Sequence, residues 1–254
     1  MRDKVKGLEF YHGTSARAAI ALLGAEDHNW FLSSMKSLAS EVMKALSRHQ
    51  PDFYKLGNIF DDAGSEYPSS APLGIQELAS GQINSTFSYD QMWVTTSFVG
   101  AAGYAKRHEH GSEALNFLME GIAVLEFLGE TSSRNLLSKY PKIQEITALG
   151  HEPVVLTFSG IDPERVRSDR NGDVRWEKFF ELSKILADGY EASFRLTDPK
   201  PSDVTGIRVL EGYNPGGRGQ IPAKEDARLL NPIEWFAQRC SGIGDNVLTK
   251  PSFC

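Results

Sequence analysis

Two segments that turn from strand into helix constrain this chain more than any other feature, because each carries a ring at the turn. In the first, Tyr11-His12-Gly13-Thr14-Ser15, an apolar strand entry meets a glycine and two hydroxyl residues that can cap a helix. In the second, Trp93-Val94-Thr95-Thr96-Ser97 is a run of β-formers closed by a hydroxyl cap, and the small-residue helix after it carries Tyr104. Trp93 and Tyr104 stand eleven residues apart, one on each element. Their rings are expected to face each other across a slot.

With 254 residues, 41% of them hydrophobic and 10% aromatic, the chain can bury a large core, so a single domain with insertions is expected over residues 1–254. No stretch reaches the roughly 18 to 20 apolar residues that span a bilayer, and the start, Met1 to Lys6, lacks the apolar run of a secretion signal. A soluble protein that does not engage membranes is expected. Cys240 and Cys254 have neither CxxC spacing nor a neighbouring histidine cluster, which fits a reducing, cytoplasmic setting and no metal. A net charge of -6 disfavours a broad basic surface for nucleic acid while leaving room for a local basic patch.

Periodicity and breakers predict a strand over residues 7–12, a helix from Ser15 to Leu23, and one amphipathic helix over 28–49 stopped before Pro51. Residues 51–72, rich in Asp, Gly, Ser and Pro, read as a long loop leading to a helical turn at Leu73 to Leu78. A strand at Met92 to Thr96 is followed by a helix ending at the His108-Glu109-His110-Gly111 stretch. Glu113 to Leu128 is apolar on more than one face and fits either a buried helix or a helix passing into a strand. Beyond it come a buried strand at Val154 to Phe158, an amphipathic helix from Trp176 closed by Gly189, strands at Ala192 to Leu196 and Ile207 to Leu210, and a last helix around Pro232 to Arg239. Without regular βα alternation, the fold class is α+β.

The Tyr-His-Gly-Thr corner resembles the first motif of ADP-ribosyltransferases of the diphtheria toxin and poly(ADP-ribose) polymerase type, the His-Tyr-Glu branch. The second motif of that family, a strand aromatic followed eleven residues later by a helix tyrosine, is similar to Trp93 and Tyr104, and Ala101-Ala102-Gly103-Tyr104 looks like the diphtheria toxin form. The third is a glutamate at the start of a later strand. Glu191, 98 residues after Trp93, is the choice for it, with Glu211 in reserve. The resemblance implies a split antiparallel β-sheet core, with helical insertions over about 26–80 and 110–150.

The same resemblance implies an enzyme that cleaves nicotinamide from NAD, its co-substrate, and passes ADP-ribose to a protein or nucleic-acid acceptor. It assigns His12 to the ribose next to nicotinamide, the Gly13 backbone to the carboxamide, and Trp93 with Tyr104 to the two faces of the ring. Glu191 grips the ribose 2'-hydroxyl and stabilises positive charge as the glycosidic bond breaks. Thr14, Thr95 and Ala101 belong to the same cofactor-binding set. Small members of this family include bacterial toxins and effectors, which adds delivery into a host cell, and an antitoxin or inhibitor protein, to the expectations. The alternatives are NAD glycohydrolysis, RNA 2'-phosphotransfer, or an inactive domain that binds NAD or ADP-ribose. Trp93 replaces the family's usual tyrosine and keeps a stacking face without a phenolic hydroxyl, and Ala101 stands near a position where a serine is frequent.

Other patterns are read plainly. Gly216-Gly217-Arg218-Gly219 lacks the Lys-Ser/Thr ending of a phosphate loop. His108 and His110 are two residues apart, do not share a helix face, and read as a solvated helix end. Arg165, Arg167, Arg170 and Arg175 form a basic run broken by Asp169 and Asp173, either exposed loop or a partner for the pyrophosphate of NAD or for an acidic target.

Overall fold

A computed structural model of the chain describes residues 1–23, 29–81, 91–108, 110–130, 135–148, 152–168, 173–185, 192–210, 224 and 227–235. Its seven strands are β1 (Glu9–Ser15), β2 (Gln91–Thr95), β3 (Pro153–Ser159), β4 (Val166–Ser168), β5 (Ser193–Thr197), β6 (Val204–Val209) and β7 (Arg228–Leu230). They form one antiparallel sheet in the order β4-β5-β2-β1-β3-β6-β7. The first two strands in sequence thus lie at the centre, and later ones add outward on both sides. This is an α+β fold.

Pairing along the sheet is uneven. β1 pairs with β3 over its whole length, from Glu9↔Ser159 to Ser15↔Pro153, and β2 pairs fully with β5, from Gln91↔Thr197 to Thr95↔Ser193. Between β1 and β2, the described residues share one paired position, Tyr11↔Thr95. Two half-sheets are therefore joined at a narrow seam, and the two strands that form it are those that carry His12 and Trp93.

Alternation along the strands sends Phe10, Val94, Leu156, Phe158 and Phe194 to one face of the sheet, where α1 (Arg2–Lys6), α2 (Ala16–Leu23) and α9 (Trp176–Ile185) cover them with Val5, Ala19, Ile20, Trp176 and Phe179. The opposite face presents Tyr11 and Val155 to α6 (Phe98–Arg107), which packs through Phe98, Ala101, Ala102 and Ala105. Alanines on that helix let its backbone come close to the sheet.

A second core lies among α3 (Asn29–His49), α4 (Leu56–Asp62), α5 (Ser70–Ser80), α7 (Glu113–Phe127) and α8 (Pro141–Thr147), filled by Leu38, Val42, Leu46, Phe60, Ile75, Leu115, Leu118 and Ile143. The segments expected as insertions thus form one helical layer. It meets the sheet at α2, whose Ala19 and Ile20 face the strands while Ala18 faces the helices. Arg17 Nη1 also donates to the Glu145 carbonyl of α8 at 2.7 Å.

The structure corrects one of these expectations and decides another. Residues 51–72 are not a long loop: Phe53–Lys55 form a 3-10 turn, α4 follows, and α5 has begun by Ser70. The polar composition conceals Leu56 and Phe60, four residues apart and both buried. Glu113 to Phe127 is helix throughout, capped by Ser112 Oγ accepting from Leu115 N at 3.2 Å. No helix among the described residues is long and apolar enough to cross a membrane.

Candidate functional site

The candidate site lies at the seam. Beyond Tyr11↔Thr95 the β1–β2 ladder does not continue among the described residues, although an unbroken antiparallel register would bring Gly13 opposite Trp93. His12 takes the place of that ladder, with its Nδ1 2.6 Å from the Trp93 carbonyl oxygen. A carbonyl only accepts, so Nδ1 carries the hydrogen. His12 is half-buried, and burial pushes its imidazole down to about 4, outweighing the opposing pull of the Trp93 carbonyl. At neutral pH the ring is therefore uncharged, with Nε2 left as a hydrogen-bond acceptor.

Trp93 lies two residues before Thr95 and so projects to the same side as Tyr11 and Gly13. Its indole lies under the guanidinium of Arg195, at 5.7 Å from Cζ to the ring centroid. Arg195 is buried on β5, directly opposite Trp93 in register, and donates to the Ser168 carbonyl from Nη2 at 3.2 Å. Sequence reasoning missed this residue; the strand pairing that brings it to Trp93 is not local.

Gly13 fixes how α6 approaches. A Cβ added there would lie 1.8 Å from the Ala101 carbonyl oxygen and 2.9 Å from Ala105 N, so the helix backbone rests directly on the glycine. Ser97 starts that helix, its Oγ accepting from Gly100 N at 3.0 Å. Tyr104, on the second turn, is held by the helical layer: its hydroxyl accepts from Glu113 N at 3.1 Å, and its ring lies 4.1 Å from that of His108. Burial pushes the Tyr104 phenol up to about 12.

Thr14 is fully buried and its hydroxyl donates to the Gly111 carbonyl at 2.7 Å, which commits it to packing the corner. Gly111, at φ 85°, sits where a Cβ would lie 2.4 Å from Ser15 Oγ. Thr95 Oγ1 accepts from Ser97 N at 3.1 Å, and Ala101 is buried against β1. His108 corrects the reading of a solvated helix end, because it is 7% exposed. In the basic run, Arg165 is a bidentate partner of Asp203, at 3.0 and 2.7 Å, and braces the β5–β6 connection. Arg167 pairs with the exposed Asp173 at 3.3 Å, and Arg175 is exposed. Arg170, Glu191, Glu211, residues 216–219 and both cysteines lie outside the described residues.

One more cluster was not foreseen. Tyr11 packs edge-on against Phe98, donates to Glu9 Oε2 at 2.5 Å and accepts from Lys224 Nζ at 2.8 Å. Hydrogen bonds from Lys224 and Tyr11 hold the Glu9 carboxyl below its ordinary value. The cluster ties a late residue to the first strand beside α6.

No family model matches the chain, and neither curated proteins nor solved structures give a match.

Proposed function

We propose that the chain is an NAD-dependent mono-ADP-ribosyltransferase with the split-sheet architecture of the diphtheria toxin and poly(ADP-ribose) polymerase type. The observation that carries the reading is the His12 imidazole bridging the seam to the Trp93 carbonyl. It joins the two sequence motifs at the point where the β1–β2 ladder ends. A neutral imidazole offering Nε2 as acceptor suits a sugar hydroxyl, and an indole carried on the strand it bonds to suits a flat cationic ring.

In this reading nicotinamide departs with the electron pair of the C1'–N1 bond, which neutralises its ring and leaves an oxocarbenium-like ribose. A nucleophile on a protein or nucleic acid then bonds to C1' and loses its proton. Glu191 is assigned to stabilise the positive ribose through its 2'-hydroxyl, with Glu211 as the reserve.

Incubation with labelled NAD and a whole-cell extract tests the reading. Release of nicotinamide together with label in protease- or nuclease-sensitive material is the expected result, and free ADP-ribose as the sole product would mean hydrolysis instead. Glu191→Gln is expected to abolish transfer while Glu211→Gln retains it; the reverse pattern would move the role to Glu211.

A further inference from the structure

Tyr104 does not stand on the sheet domain alone. His108 follows it by four residues, hence on the same side of the helix end, and its ring centroid lies 4.1 Å from that of Tyr104. Tyr67 also stacks on His108, at 6.4 Å with planes 25° apart, and in turn meets Phe117 of α7 edge-on at 5.8 Å. Tyr67 lies between α4 and α5, so this row of rings runs from α6 into the helical layer. The first residue of α7, Glu113, fixes the Tyr104 hydroxyl through its backbone N–H.

His108 is 7% exposed, and its Nδ1 is buried with no hydrogen-bond partner. A polar atom left so is a cost to the fold, and an apolar ring of similar size would avoid it. We infer that His108 is a positioning residue, whose ring, backed by Tyr67, holds the Tyr104 ring in place for the substrate's nicotinamide. The inference rests on the NAD reading of the same site. The helical layer thereby acquires a direct part in substrate affinity, through Tyr67, His108 and Glu113.

The test compares His108→Ala, His108→Phe and Tyr67→Ala for NAD binding by calorimetry and for KM and kcat of nicotinamide release. His108→Ala and Tyr67→Ala are each expected to raise Kd and KM for NAD about fivefold to tenfold with kcat little changed. His108→Phe, which keeps a flat ring, is expected to restore the wild-type KM and to melt at a higher temperature. Unchanged NAD affinity in both alanine variants would overturn the inference, as would a phenylalanine variant as weak as the alanine one. Should His108→Ala not fold, the Tyr67→Ala and His108→Phe measurements decide. A wild-type protein that neither binds nor cleaves NAD would instead remove the underlying reading.

Discussion

Gly13 and Ala101 approach so closely that a single added carbon on the glycine would fall 1.8 Å from the alanine's carbonyl oxygen. This contact sets the distance between the first strand and the helix that bears Tyr104, and it requires a residue with no side chain.

Gly13→Ala is therefore expected to force α6 off the sheet. Overpacking of backbone against backbone has little room to relax, so a loss of about 3 kcal/mol is expected by urea denaturation. Any folded fraction is expected to bind NAD poorly, because the helix that carries Tyr104 would be displaced from the sheet. Wild-type stability in that variant would contradict the geometry of the corner.

His12→Ala removes the hydrogen bond across the seam and takes a donor from the Trp93 carbonyl, which costs about 1 to 3 kcal/mol. The variant is expected to remain folded, since β1 stays fully paired with β3. Nicotinamide release is expected to fall about 100-fold from lost orientation at the ribose. Activity within a few-fold of wild type would show that the imidazole only supports the sheet.

Acid is expected to destabilise the fold through two histidines. Burial is the larger cause at both: it lowers His12 and His108 to about 4 from an ordinary 6.5, with Arg107 adding to the effect at His108. Between those values the unfolded chain binds protons that the folded chain does not. The stability associated with their neutral forms is thus fully present above about 6.5 and is lost as pH falls toward 4, by up to about 1.4 kcal/mol per pH unit for each ring. Urea denaturation at pH 7.5 and 5.0 is expected to show a smaller loss for His108→Phe than for wild type. Equal losses would mean that burial does not lower His108 below its ordinary value.

The strand and helix that carry Trp93 and Tyr104 were legible because their signals are local. Ser97 caps α6, as its place after the β-formers suggested, whereas the close approach of Gly13 to Ala101 joins residues far apart in sequence. The seam and Arg195 were not legible, because they depend on which strands pair, and β4 and β7 are three-residue strands defined by their partners alone. His108 illustrates the boundary. Its spacing from Tyr104 was plain in the sequence, but its burial comes from Tyr67, forty-one residues earlier, in a segment whose Asp, Gly, Ser and Pro content mimicked a loop.

Calorimetric titration of NAD into the wild-type protein and into Trp93→Ala tests most directly whether the seam between β1 and β2 receives the dinucleotide. Saturable binding by the wild type, with affinity reduced at least about tenfold in Trp93→Ala at unchanged melting temperature, is the expected result. Equal affinity in the two proteins, or no binding by the folded wild type, would contradict it.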